Sequence, residues 1–231
     1  MEQKDKYIYI MLSDTGTWLS RLVKKYTDAP YNHVSIGLDA SFNHLYSFGR
    51  KIPDNPFSGG FVKEDVIKGT YRRFPDTSCI IYQLPVTDKQ SRKLNKLIRR
   101  FAKKGDKYTY NFIGLFAVAI DKPLKRKASY FCSQFVAEVL ARTDIYHFEK
   151  ESCLVKPADF HHIPCIQKVY EGKLYEHEAV VRKIIDVDIP YFPSSSFSLH
   201  QFVQPVRKTI KFINPMYFYH ASSRTLQKEK K

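Results

Sequence analysis

Four short runs of β-branched and aromatic residues limit most strongly the folds that this chain can adopt. They lie at residues 6–12 (KYIYIML), 32–38 (NHVSIGL), 44–48 (HLYSF) and 78–84 (SCIIYQL). Runs of this composition, bounded by turn residues, are typical of β-strands. Five residues separate the second run from the third, which is a hairpin length, so we predict that these two strands pair in antiparallel fashion.

Two amphipathic helices are predicted beyond these strands. The first spans residues 88–104, because Thr87 and Gln90 form a capping box and Gly105 follows the last turn. Its apolar stripe consists of Leu94, Leu97, Ile98 and Phe101. The second helix (SYFCSQFVAEVLAR) is predicted to begin at Ser129, with this serine as its N-cap residue.

Other segments have weaker patterns. Residues 111–120 are apolar on nearly all sides and predict a short buried helix. Prolines and glycines at residues 53–60 predict an extended loop. Residues 179–187 and 206–212 resemble strands.

The length of 231 residues suits one sizeable domain with an appendage. The patterns of strands and helices are clear up to about residue 175, and prolines interrupt the chain repeatedly beyond it. We therefore assign the domain to residues 1–175 and a basic C-terminal extension to residues 176–231. The extension is expected to pack on the core or to cover a cleft.

The chain is strongly basic, with 38 Lys and Arg residues against 23 Asp and Glu residues and a net charge of +15. Such an excess indicates anionic partners, either nucleic acid or a membrane surface. Much of it falls on the solvent face of the predicted helix at residues 88–104, and a charged helix face more often serves solubility than a specific anion site. Because the sequence has neither an RNA-binding signature nor a helix-turn-helix pattern, nucleic acid ranks last among the expected partners.

Cysteine spacing and apolar run length indicate the compartment. Cys79, Cys132, Cys153 and Cys165 are widely spaced and form no CxxC pair, which favours reduced thiols. The N-terminus has no signal-peptide pattern, and no apolar run reaches the roughly 18 residues that cross a bilayer. We therefore expect a cytoplasmic protein that contacts an anionic membrane peripherally.

Two residues stand out as candidates for nucleophilic chemistry. Cys132 falls in the first turn of the predicted second helix, where free backbone N–H groups and the helix dipole favour a thiolate. His33 lies in a strand-like run and is a candidate proton acceptor for that thiol. Each residue also has a structural interpretation, because most free cysteines are small buried hydrophobes and most strand histidines have no catalytic role.

The sequence resembles the circularly permuted NlpC-type branch of the papain-like superfamily, the YiiX-like group, to which lecithin:retinol acyltransferase is distantly related. The resemblance covers residues 5–175 and is carried by four segments in one order. They are Asn32 to Gly37 (NHVSIG), Tyr108 to Gly114 (YTYNFIG), Phe131 to Val136 (FCSQFV) and Lys156 to Phe160 (KPADF). In this branch the histidine strand precedes the cysteine helix.

The resemblance implies a papain-like α+β fold and acyl-enzyme chemistry. It makes Cys132 the nucleophile at a helix N-terminus, and it makes His33 the base on an antiparallel sheet. The third family position, a polar residue that orients the imidazole from the next strand, falls on Ser47. His44 competes for this role, and a third alternative is that neither side chain orients His33.

These residues predict a cysteine hydrolase or acyltransferase acting on a peptide or lipid acyl group. The alternative is a catalytically weak or inactive binding protein, because a serine supports the imidazole less than a carboxylate does. We expect no cofactor and no metal site, since the spacing of His161, His162 and Cys165 does not match ordinary zinc ligands. Glu64 and Asp65 are assigned to a loop, where they either border the cleft or, as is more common for such acids, face water.

Overall fold

The computed structural model describes residues 6–16, 30–52, 55–111, 114, 122–124 and 126–187. Most of the predicted helix at residues 111–120 and all of the strand-like run at residues 206–212 lie outside this part of the chain. All described residues belong to one compact unit.

A six-stranded sheet forms the centre of the fold. Its strands are β1 (Lys6–Asp14), β2 (His33–Gly37), β3 (Leu45–Ile52), β4 (Asn55–Glu64), β5 (Ser78–Val86) and β8 (Gln167–Lys173). They lie in the order β4-β3-β2-β1-β5-β8, and every neighbouring pair is antiparallel. The predicted hairpin of β2 and β3 is therefore confirmed, as are the predicted strands β1 and β5.

Helices cover both faces of the sheet, which confirms an α+β fold. The helices are α1 (Gly69–Arg73), α2 (Asp88–Lys103), α3 (Cys132–Arg142) and α4 (Glu178–Asp186). A small parallel pair, β6 (Thr109–Tyr110) and β7 (Ser129–Tyr130), precedes α3. Short 3₁₀ turns occupy Gly105–Lys107, Ser152–Leu154, Pro157–His162 and Leu174–Glu176.

The larger core lies between the sheet and the helices α2 and α3. Side chains that alternate along β1 and β2, such as Ile10 and Val34, meet the apolar faces of these helices there. Aromatic rings form the centre of this core: Phe135 of α3 lies 5.1 Å from both Phe48 and Phe101, measured between ring centroids. These contacts hold the first turn of α3 at one end of the sheet.

The smaller core lies on the opposite face of the sheet. It contains Met11, Leu45 and Ile81 from the strands, together with Tyr71 of α1 and Val180 of α4. The helix α4 lies in the segment assigned from the sequence to the C-terminal extension, and its residue Val180 is fully buried.

The predicted helix at residues 88–104 is confirmed as α2. The Thr87 hydroxyl oxygen accepts a hydrogen bond from the backbone N–H of Gln90, and Oε1 of Gln90 accepts one from the backbone N–H of Thr87. The buried residues are the four of the predicted stripe. This element is predictable because both its cap and its periodicity are local.

The predicted loop at residues 53–60 is wrong, because residues 55–64 form strand β4. Its glycines serve close packing: a Cβ on Gly59 would lie 2.6 Å from Cβ of Tyr110, and one on Gly60 would lie 2.8 Å from the carbonyl oxygen of Tyr108. Glycine in a strand commonly marks such a close approach. Glycine therefore occurs here because neighbouring chains pack closely against it, and not because the chain turns, as the sequence interpretation assumed.

Two helix boundaries also differ from the prediction. The second predicted helix begins at Cys132 with Phe131 at the N-cap position, while Ser129 pairs with Thr109 between β7 and β6. The strand-like run at residues 179–187 is part of helix α4, whose N-terminus is capped by the His177 side chain. In α4 the residues Val180 and Ile184, four apart, pack against the smaller core.

Within the described ranges, no helix is both long enough and apolar enough to cross a membrane.

Candidate active site

Cys132 occupies the first position of α3 and is 1% exposed. The first turn of a helix leaves its backbone N–H groups without intrahelical partners, and it carries a partial positive charge. The first turn of α3 contains no acidic residue that would oppose this charge. The sulfur lies 3.9 Å from the carbonyl oxygen of Asn32, at the start of β2.

His33 is the first residue of β2, and its ring joins two partners. Its Nε2 atom lies 2.7 Å from Oε1 of Glu64. The imidazole also lies beside the Cys132 side chain, and each of the two groups shifts the pKa of the other. Because Nε2 is occupied by Glu64, Nδ1 is the nitrogen that remains for the thiol. The structure thus brings the two candidates Cys132 and His33 into direct contact.

Glu64, the last residue of β4, is the residue that orients His33. The loop assigned to it is wrong, and of the two positions considered from the sequence it borders the site and does not face water. Its side chain is 12% exposed. Its second oxygen, Oε2, accepts hydrogen bonds from the hydroxyl groups of Ser35 and Tyr71. The two hydroxyl groups therefore fix the carboxylate through Oε2, and Oε1 faces the imidazole.

A glycine makes room for this contact. Alternation along β2 and β3, together with the pairing of Leu45 with Glu64, places His33 and Glu64 on the same face of the sheet. Gly49 lies between them: a Cβ there would be 3.5 Å from Cε1 of His33 and 3.6 Å from Oε1 of Glu64. A methyl group fits at these distances, but a larger side chain would occupy the space that Glu64 uses to reach across β3.

Ser47 does not orient His33. Its hydroxyl donates to the carbonyl oxygen of Val34 at 2.6 Å, and the residue is fully buried. The competing candidate His44 is exposed and pairs with Asp39, with 2.9 Å between Nδ1 and Oδ2. The sequence prediction failed because the orienting residue comes from β4, the strand beyond, which had been predicted as a loop.

The side chains of Cys132, His33 and Glu64 shift one another's pKa values. Burial opposes the charged form of His33, but the charge of Glu64, the Cys132 side chain beside the ring and the hydrogen bond that the ring donates to Glu64 raise its pKa to about 10. Burial likewise opposes the thiolate, yet the pKa of Cys132 is lowered by His33 and by the N–H groups of Val34 and Ser133. The pKa of Glu64 is lowered against the effect of burial, chiefly by His33. The thiol of Cys132, the imidazole of His33 and the carboxylate of Glu64 therefore lie in one chain, in which each charged form favours the charged form of its neighbour.

Tyr110 is a further site residue that the sequence interpretation did not single out. Its hydroxyl lies beside the Cys132 side chain, and its pKa is raised by burial and then by the negative charge that Cys132 carries when ionised. The pairing of β6 with β7, two residues before α3, places Tyr110 beside Cys132. The ring rests on Gly59, which has no side chain to exclude it.

Asn32 and Asp14 hold the backbone beside the sulfur. The side-chain amide of Asn32 donates to Oδ1 of Asp14 at 2.9 Å, and its backbone N–H donates to the carbonyl oxygen of Ser13. These bonds join the ends of β1 and β2 at the edge of the site. They fix the carbonyl group that faces Cys132.

The second histidine region has a different arrangement. His161 contacts the hydroxyl of Tyr82 through Nδ1, and Cys165 is exposed. Burial and the neighbouring His162 lower the pKa of His161. No group of three or more metal-binding side chains occurs in the part of the chain that the structure describes.

No protein-family model matches this chain, and no curated protein matches its sequence significantly.

Proposed function

We propose that the protein is a cysteine hydrolase or acyltransferase with a permuted papain-like arrangement, which acts on an amide or ester through a thioester intermediate. The observation that carries this proposal is the contact chain from Cys132 through His33 to Glu64. A nucleophile, a base in hydrogen-bond contact and a third group that orients the base form the geometry of nucleophilic acyl transfer.

The order of the elements agrees with the resemblance seen in the sequence. The histidine lies on a strand of an antiparallel sheet that precedes the cysteine, and the cysteine begins a helix packed against that sheet. The serine at position 47, which departs from the family pattern, no longer counts against catalysis, because Glu64 supplies a carboxylate at the imidazole. The support for an inactive binding protein therefore falls away, since it depended on a weak third residue.

Acylation begins at the sulfur. The Cys132 thiolate attacks the substrate carbonyl carbon, a C–S bond forms, and an electron pair moves to the carbonyl oxygen. When this intermediate collapses, the bond to the leaving nitrogen or oxygen breaks, and the His33 imidazolium gives its proton to the leaving group. The products of this half-reaction are a thioester on Cys132, a neutral His33 and a free amine or alcohol.

Deacylation uses the same residues in the opposite direction. Neutral His33 accepts a proton from water, or from an acceptor alcohol or amine, as that molecule attacks the thioester carbon. The C–S bond then breaks, its electron pair returns to the sulfur, and the thiolate and imidazolium are restored. Glu64 remains ionised and stabilises the imidazolium throughout.

The oxyanion forms next to the sulfur, so donors that contact the sulfur lie near it. The Tyr110 hydroxyl and the Ser133 N–H group both bond to the Cys132 side chain. Fixed donors at such a position stabilise the charge that develops on the carbonyl oxygen. We assign oxyanion stabilisation to these two groups.

An ester assay with matched cysteine variants tests the proposal. With p-nitrophenyl butyrate as substrate, the wild-type protein should release p-nitrophenol and accumulate a butyryl thioester detectable by mass spectrometry. Cys132→Ala should abolish both signals. Cys165→Ala removes the exposed thiol and should leave both unchanged. An acyl adduct on any other residue, or unchanged turnover by Cys132→Ala, would overturn the assignment.

A further inference from the structure

One side of the molecule carries an excess of positive charge that the catalytic site does not use. The basic surface, as defined here, comprises exposed cations on and just beyond α2. They are Lys89, Arg92, Lys93, Lys96, Arg99, Arg100, Lys103, Lys104 and Lys107. Residues 88–107 contain nine cations and two acids, Asp88 and Asp106, and therefore hold +7 of the net charge of +15.

Few acids of the protein neutralise this surface. Asp88 pairs with Lys6 and Asp144 pairs with Lys93. Within the described residues, the remaining cations of the second half of α2 have no ion pair with an acid. These cations are Lys96, Arg99, Arg100 and Lys103.

Like charges three and four residues apart on a helix repel one another. Lys96, Arg99, Arg100 and Lys103 have this spacing on α2. A surface that serves solubility alone mixes both signs, whereas this one concentrates a single sign. An anionic partner relieves the repulsion, so the charge pattern is complementary to an extended negative surface.

The C-terminal end of the basic surface is close to the catalytic site along the chain. Lys107 lies three residues before Tyr110, and three residues span at most about 10 Å. The Tyr110 hydroxyl in turn contacts the Cys132 side chain. A partner bound along the C-terminal end of α2 would therefore lie close to the nucleophile.

An exposed apolar residue lies next in sequence to a lysine that reaches this end of the basic surface. Ile52 is 53% exposed at the end of β3. Its neighbour Lys51 lies 3.9 Å from Asp106, measured from Nζ to Oδ1, just beyond the end of α2. Cations beside an exposed aliphatic side chain suit a bilayer interface, which takes up both, better than a nucleic-acid backbone, which offers phosphates alone.

We propose that the basic surface docks the protein on a membrane containing anionic phospholipids. Lys and Arg side chains bind the phosphate-rich interface, and Ile52 enters the apolar boundary beneath it. Presentation of an interfacial acyl substrate to Cys132 is the consequence for function, and this part rests on the proposed function.

Vesicle co-sedimentation of the full chain tests the docking. The wild-type protein should bind vesicles of phosphatidylcholine mixed with phosphatidylglycerol and should not bind vesicles of phosphatidylcholine alone. A triple variant, Lys96→Gln with Arg100→Gln and Lys103→Gln, should bind the mixed vesicles about 100-fold more weakly, since each interfacial cation contributes about 1 kcal/mol. Raised salt should weaken wild-type binding in the same direction.

A matched control removes three positive charges elsewhere. The variant Lys168→Gln with Lys173→Gln and Arg182→Gln carries the same net charge, but its changes lie on β8 and α4. It should bind like the wild type. Equal loss in both variants would show that net charge alone drives binding and would overturn the proposal. So would binding to generic RNA or DNA that is tighter than to the mixed vesicles and is weakened only by the α2 changes.

Cys132→Ala separates docking from catalysis. It should bind the mixed vesicles as tightly as the wild type, because the nucleophile is buried and lies outside the basic surface. Wild-type ester turnover with absent vesicle binding would overturn docking and leave the proposed function intact. Vesicle binding with no Cys132-dependent turnover would support docking while removing the proposed function.

Discussion

Two buried thiols in this protein, Cys132 and Cys79, have pKa values that are shifted in opposite directions. Both are at most 1% exposed. At Cys79 burial among apolar residues raises the pKa to about 12. At Cys132 burial acts in the same direction, but the imidazole and two backbone N–H groups reverse the outcome and lower the pKa. Burial makes a cysteine inert unless donors and a cation surround it.

The difference follows from the secondary structure around each thiol. Cys79 lies inside β5 and is paired with Ser13 on one side and Gly172 on the other. The backbone donors of a strand interior serve the sheet ladder. Cys132 begins a helix, where backbone donors are free. The position of a cysteine in its element therefore decides which groups can stabilise a thiolate.

The largest effect is expected in alkylation of the folded protein near pH 7. Iodoacetamide should modify Cys132 faster than Cys79 by a factor on the order of 10⁴, because a thiol with a pKa of about 12 holds almost no thiolate there. Peptide mass spectrometry over time measures both rates. Comparable rates would break the comparison between the two thiols.

Replacement of the orienting carboxylate comes next. Glu64→Gln keeps the shape of the side chain but removes its charge, so ester turnover should fall about 100-fold. The thiolate pKa of Cys132 should rise, because a less basic imidazole stabilises it less. Ser47→Ala is the control, and it should leave turnover nearly unchanged, since Ser47 contacts only backbone oxygens. A larger loss in Ser47→Ala than in Glu64→Gln would restore the assignment made from the sequence.

Removal of the Tyr110 hydroxyl should have a smaller effect. Tyr110→Phe deletes one donor to the sulfur and the oxyanion, so kcat should fall about 10-fold, the value of one hydrogen bond to a charged group. KM should change little if the bond strengthens in the transition state. Tyr108→Phe is the matched control. An increase in KM with kcat unchanged would assign Tyr110 to substrate binding instead.

The last prediction concerns stability as a function of pH. The pKa of His33 rises from 6.5 to about 10 on folding, so its contribution to stability is complete below pH 6.5 and is lost as pH rises towards 10. Glu64 has a lowered pKa, so its contribution is present above pH 4.5 and is lost as pH falls through its folded-state pKa.

Urea unfolding at a series of pH values measures these contributions. The two proteins compared are Cys132→Ala and Cys132→Ala with His33→Gln, because the lowered pKa of Cys132 adds stability as pH rises and would offset the loss at His33. Cys132→Ala should lose stability as pH rises above 6.5, and the double variant should show a shallower slope. His44→Gln in the same background is the control, since His44 is exposed and pairs with Asp39. Equal slopes in Cys132→Ala and the double variant would contradict a stabilised imidazolium.

Local features of the sequence determined much of the sheet and the helix α2. They also made Cys132 and His33 separate candidates, which only the family resemblance joined into one site. The runs at β1 to β3 and β5 are recognised from a few neighbouring β-branched and aromatic residues. The capping box of Thr87 lies within one turn of its helix. Such patterns act between neighbouring residues, so they can be recognised without knowing the fold.

Tertiary structure alone decided the third member of the site. Glu64 reaches His33 because β4 pairs with β3 in a particular register and because Gly49 leaves the space between them open. The position of Tyr110 depends likewise on Gly59 and on the β6–β7 pairing. These relations join residues that are distant in sequence, and the residue types at 49, 59 and 64 are also those of an ordinary exposed loop. Strand register arises from packing over the whole sheet, and it brings residues 49, 59 and 64 together in one site.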